Sequence, residues 1–117
     1  MQKQNELEQF KAIHDDKEAV INGHAYKITK TTHKQRLKVF SYLTKVKEFI
    51  SAGDFSFLDT DEFEKVRSVI ESVVTFEGSS LSKLPNHWEE HEEDFLMFTI
   101  SMMGALSYPF MKGVVTS

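Results

Sequence analysis

The chain contains no cysteine. That excludes disulfides, thiolate zinc sites and cysteine nucleophiles together, and it fits a reducing compartment. Proline and glycine are scarce, at two and five residues of 117, which leaves little room for a loop-rich fold. Met1 to Glu8 has no apolar stretch, so no secretory signal is expected and a cytoplasmic location follows as the default. Also missing are a G-x-S-x-G nucleophile turn, a glycine-rich phosphate loop, and a carboxylate pair placed for divided acid and base roles. No enzyme activity and no cofactor are therefore expected. What is present is 40% hydrophobic and 27% charged residues, with ten Phe. A single globular domain with one core suits this length and composition.

The net charge of −4 is unevenly spread. Residues 23–50 carry seven Lys or Arg against one acid, residues 51–85 three against seven, and residues 86–117 one against five. Such polarity can orient self-association of basic and acidic faces, although solvated faces share the pattern. The basic run from Lys30 to Lys38, with Lys45 and Lys47 beyond it, has the chemistry to meet phosphates. An acidic chain without a helix-turn-helix or base-stacking motif argues against nucleic acid as the partner.

Along the chain, Leu7, Phe10 and Ile13 are spaced for a short amphipathic helix or a docking arm over residues 1–17. Asn22-Gly23 between EAVI and HAYKIT predicts a β-hairpin over roughly 18–29, because a two-residue type I′ turn needs positive φ at both positions. Leu37, Phe40, Leu43, Val46 and Ile50 mark the apolar stripe of a helix from His33 to Ala52, ended by Gly53. Asp59 and Glu62 form a capping-box pattern for a second helix, whose stripe is Phe63, Val66, Ile70, Val73 and Val74. Glu77 to Lys83 reads as a loop. The expected fold is α+β and mainly helical, one N-terminal hairpin packed with about three principal α-helices. Residues 1–17 form a polar arm or short helix, 18–112 the domain and 113–117 a tail.

In the last helix Asn86 is placed to cap an acidic start, and from Phe95 to Met111 there is then no charge. Pro109, with Tyr108 before it, shortens the usable helix, which argues against a membrane span. Trp88, Phe95, Thr99, Met102 and Leu106 share a core-facing stripe. Met97 and Ile100 lie off it, and four of the five Met fall in this segment, the side chain that adapts best to varied apolar partners. Trp88, Met97, Ile100, Met103 and Phe110 are the candidate partner-binding residues; burial of the whole helix in the core is the competing reading.

The segment HWEEH, His87 to His91, matches the inverted zinc-peptidase pattern H-x-x-E-H, with Glu90 in the place of a base. Two His four apart on a helix face one side. A catalytic metal needs a third protein ligand, and after Asp94 the chain has no His, Asp, Glu or Cys. His14, His24 and His33 lie upstream, at spacings that give no reason to bring them there. No metal site is expected.

The order of parts is nonetheless familiar. The hairpin "INGHAYKITK", the basic helix near His33, the acidic-capped second helix and the closing "HWEEHEEDFLMFTISMMGALSYPF" together resemble the tail assembly chaperones of long-tailed bacteriophages over residues 18–112. That resemblance implies a non-enzymatic protein of the infected host's cytoplasm, absent from the mature virion. It would bind and solubilise the tape measure protein while tail tube protein subunits polymerise around it. A longer, frameshifted form that recruits the tube protein is common in the family. A small structural adaptor retained in a phage particle, or in another complex, is the alternative.

Overall fold

The computed structural model describes residues 2–115, with side chains described from 6 to 113. Helix α1 spans Gln2–Asp16, followed by strands β1 (Glu18–Ile21) and β2 (His24–Ile28) and helix α2 (His33–Ser51). Helix α3 (Asp61–Val73) leads into β3 (Val74–Phe76) and β4 (Ser79–Ser80), and the chain closes with α4 (His87–Glu90) and α5 (Phe95–Val115). Short 3-10 turns occupy Ser56–Asp59, Leu81–Lys83 and Glu92–Asp94. The fold is mainly helical with one small antiparallel sheet in the order β1-β2-β3-β4.

The first hairpin forms where the sequence placed it. Asn22 and Gly23 both have positive φ, and Ile21 pairs with His24 across the two-residue turn. Alternation then turns Ala19, Ile21, Tyr26 and Ile28 inward and leaves Val20 outside. This hairpin does not stand alone. Val74, expected on the stripe of α3, instead opens β3, which pairs with β2 through Tyr26 and Phe76. The segment 77–83, read as a loop, contains a second two-residue turn at Glu77 and Gly78, both with positive φ, followed by β4. Val-Thr-Phe is a run of strand formers. With Thr29 donating both its N–H and its hydroxyl to the Val73 carbonyl, extended pairing replaces another turn of helix.

Helix starts also differ in detail. Thr32 makes a full capping box with Gln35 at α2, and Thr60, not Asp59, caps α3 by accepting from the Phe63 N–H. The buried face of α2 is Val39, Tyr42 and Val46, rotated from the expected stripe, so Leu37 is exposed. Gly53 ends the helix region with positive φ, as its sequence position suggested.

The N-terminal segment is no detached arm. Helix α1 packs along α5, where Gly104 lies against the Phe10 ring with no room for a Cβ. Near the far end His14 sits 5.5 Å from the Tyr108 ring, and the Ala105 backbone works against the burial that lowers its pKa. Pro109, lacking an N–H, leaves the Ala105 carbonyl without its helical donor. Helix α5 nonetheless continues past Pro109 to Val115, and what was expected as a tail from 113 begins as helix. Met1 and residues 116–117 lie outside the described residues. Among the described residues no helix is long and apolar enough to cross a membrane.

The core gathers around α5. Phe98, Met102, Met103, Ala105 and Leu106 meet Tyr26 and Ile28 of the sheet, Val39 and Val46 of α2, and Phe63 and Ile70 of α3 in one buried cluster.

Candidate functional site

Two features survive as candidates. One is a polar cluster between the hairpin and the junction of α4 with α5; the other is an open groove of mixed polar and apolar lining beside it.

The cluster is built on Asp94, the last charge before the uncharged stretch and fully buried. Its Oδ1 accepts from Asn22 Nδ2 at 2.8 Å, and its Oδ2 accepts from the Tyr26 hydroxyl and from His24 Nδ1, both at 2.7 Å. The hairpin explains this convergence. Asn22 sits in the turn, and alternation puts His24 and Tyr26 on the inner face, two residues apart. Tyr26, having given its proton to Asp94, can only accept from His87 Nε2 at 2.9 Å, so the His87 ring carries its proton on Nε2. Burial pushes the Asp94 carboxyl up, but the bonds from Asn22, Tyr26 and His24 outweigh it and hold the group below its ordinary value. Burial, followed by the bond to Asp94, pushes the Tyr26 phenol far up. Burial, with the neighbouring His91 adding to it, lowers His87.

His87 and His91 lie on one side, as their spacing suggested, but His87 Nε2 is engaged by Tyr26. Helix α4 stops at Glu90 and His91 leaves it with φ −134° and ψ 46°, yet its N–H still reaches the His87 carbonyl at 2.9 Å and the two rings stay side by side, 4.7 Å apart. Asn86 makes no side-chain cap there. His87 is buried and committed to Tyr26, and the half-exposed His91 lies between it and His24, its ring 4.7 Å from that of His87 and 4.8 Å from that of His24. The sheet thus folds His24 back to the histidine segment. His24, His91 and Asp94 bring three ligand-type atoms within 4.8 Å of one another, which corrects the expectation that the pair finds no further donor. Phe76 borders the group, 5.2 Å from the His91 ring and 4.6 Å from that of His87. Sequence reasoning missed Asn22, His24, Tyr26 and Asp94 as a unit. The available signal was the inward alternation of His24 and Tyr26, together with an acid at the start of a helix that is apolar all round.

Of the residues chosen for partner binding, Met97 is 57% exposed and Ile100 half-buried. Met103 is fully buried against the core and leaves the surface set, because α5 is covered on that side by its own chain. Trp88 is half-buried. Its indole donates to Glu71 at 2.8 Å and its ring stacks on Tyr26, so it is an anchor between α3, the sheet and α4. Phe110 stacks on Phe40 of α2 at 5.0 Å, well along α5 from Met97. What adjoins Met97 instead is an open groove of about 400 Å³ between α1, β1 and α5, lined by Ile13, Ala19, Val20, Met97 and Ser101 among others. Val20, at 65% exposed, stands on the edge strand of the sheet.

No protein-family model, no curated protein and no solved structure matches the chain.

Proposed function

We propose that the chain is a non-enzymatic assembly chaperone that holds an apolar helical segment of a long client in the groove between α1, β1 and α5. The observation that carries this reading is the placement of Val20 and Met97, both strongly exposed, at that groove. A flexible thioether and a β-branched side chain beside a sheet edge suit an amphipathic client helix. The acids Asp16 and Glu18 line the same groove and favour clients with basic residues flanking the apolar face. Taken with the resemblance of residues 18–112 to phage tail assembly chaperones, the client is the tape measure protein, kept soluble in the host cytoplasm until tail tube protein polymerises around it. The basic surface of α2 and the acidic segments around α3 and α4 supply complementary faces for self-association along one client, so that weak contacts add by avidity. Membranes and nucleic acid are not partners in this reading.

Co-expression of the tagged chain with a tape measure protein, followed by pull-down and a solubility assay, tests it. The wild type is expected to retain the client in the soluble fraction and Val20→Glu/Met97→Glu to lose it while staying folded. Undiminished client capture by the folded double variant rejects the groove. Stoichiometric presence of the chain in purified phage particles rejects the chaperone role in favour of a retained adaptor.

A further inference from the structure

The donors that converge at Asp94 have a capacity beyond fastening the hairpin. We infer that His24, His91 and Asp94 form a binding site for a divalent transition metal of the zinc class. The assignment is independent of the chaperone reading.

The donor set comes first. Two imidazoles and one carboxylate are what zinc, cobalt(II) and nickel(II) accept readily, whereas magnesium and calcium require mostly oxygen. Three protein donors with the outer side open to water complete a four-coordinate shell. Zinc–ligand bonds of about 2.0–2.2 Å in a tetrahedron place donors roughly 3.3–3.5 Å apart. The observed separations reach 4.8 Å, so the site must contract by a little over 1 Å. The residue able to supply that movement is His91, which is half-exposed and lies outside the regular helix at the break between α4 and α5. His24 and Asp94 already touch at 2.7 Å, so a metal between them replaces the shared Nδ1 proton and moves the two groups slightly apart. In neutral His24 that proton moves to Nε2.

The surroundings are those of a supported site. Asp94 is fully buried and held by Asn22 through one oxygen and by Tyr26 through the other, while His87 backs Tyr26 in turn. Outer partners of this kind fix a ligating carboxylate in position. His24 is 33% exposed by side chain, which leaves a path from solvent. The physical consequence is a clip. The metal ties the tip of the first hairpin to the α4–α5 junction, joining segments 70 residues apart in sequence. Asn22 also lines the groove between α1, β1 and α5, so the clip stiffens one wall of it.

The test uses the full chain stripped with EDTA and then titrated with Zn²⁺ by calorimetry and with Co²⁺ by visible absorption. One saturable equivalent is expected, with tetrahedral-type Co²⁺ bands, a melting temperature that climbs with added Zn²⁺, and slower amide exchange over residues 18–28. His91→Ala, chosen because its half-exposed ring can be truncated with the fold intact, is expected to lower affinity by more than the roughly 10–100-fold that loss of an outer partner costs. His33→Ala, distant in α2, leaves it unchanged. The assignment is overturned by the absence of saturable binding, by equal affinity in His91→Ala, which marks an adventitious ion only, or by displacement of Zn²⁺ with an equal concentration of Ca²⁺.

Discussion

The Tyr26 hydroxyl and the Asp94 carboxylate meet at 2.7 Å across 68 residues of sequence, in a buried setting where His87 supplies the next hydrogen bond outward. One strand, one short helix and the start of α5 are thereby fixed at a single point. In such a network the cost of deletion depends on which partner goes. Tyr26→Phe removes the bond to the Asp94 carboxylate and leaves the buried His87 Nε2–H without its acceptor, with an expected loss of about 1.5–3 kcal/mol. Asp94→Ala removes three bonds to a buried carboxylate at once, those from Asn22, His24 and the buried Tyr26, and is expected to cost roughly 3–5 kcal/mol. Urea unfolding of both variants in EDTA measures the order; a Tyr26→Phe cost equal to or above that of Asp94→Ala contradicts the carboxylate as the hub.

Stability at acid pH is expected to fall in two stages, both read in EDTA. The folded-state pKa of His87 is depressed from 6.5, first by burial and then by His91, so the unfolded chain binds the proton first. Its contribution is complete above about 6.5 and is lost as pH falls through the folded value. His14, lowered by burial with Lys17 adding to it, acts in the same window. Asp94 is depressed from 3.8 despite its burial, so a second loss follows as pH falls below that value. Replacing His87 with Gln keeps an N–H for the Tyr26 oxygen and removes the titration. Thermal melts between pH 7 and 5 are expected to slope less in His87→Gln than in the wild type, and an unchanged slope removes His87 as a contributor.

The long helices and the first hairpin were legible because each rests on local rules: apolar spacing for α2 and α3, and two positive-φ positions at Asn22 and Gly23. The second hairpin was not, because Glu77 in a left-handed conformation is an uncommon choice and Val73-Val74 fits a helix stripe as well as a strand. At His87 and His91 the helical spacing rule held, but the long-range partners Tyr26 and His24, which set what each ring does, were beyond it. Met103 was misplaced because the cover supplied by other elements is a tertiary fact that a helical wheel does not contain. The Asp94 cluster depends on contacts between residues about 70 positions apart, and no local pattern carries those.

Docking of α1 on α5 turns on Phe10 and Gly104. Any Cβ at position 104 enters the Phe10 ring, so Gly104→Ala forces a shift in a packed contact, with an expected cost of about 1–3 kcal/mol. Phe10→Leu makes room, and the double variant is expected to recover part of that loss. Amide exchange over residues 6–16 locates the effect: it is expected to rise in Gly104→Ala while the sheet stays protected. Strict additivity of the two substitutions in denaturant unfolding contradicts the contact.

Met97 and Met103 lie on one helix, six residues apart, and differ in exposure from 57% to 0%. The same charge introduced at each therefore has different consequences. At position 97 the carboxylate remains in water, and Met97→Glu is expected to alter folding stability by no more than about 0.5 kcal/mol. At position 103 it is forced into a core without a partner, and Met103→Glu is expected to lose cooperative unfolding or to raise the new carboxyl's pKa steeply. Circular dichroism melts separate the two directly. The contrast also decides how client-binding assays are read, since a loss of capture in stable Met97→Glu reports on the groove, whereas a loss in Met103→Glu reports only on the fold. Equal destabilisation by the two substitutions would mean that Met97 is covered in solution, and the groove would then lie elsewhere on the chain.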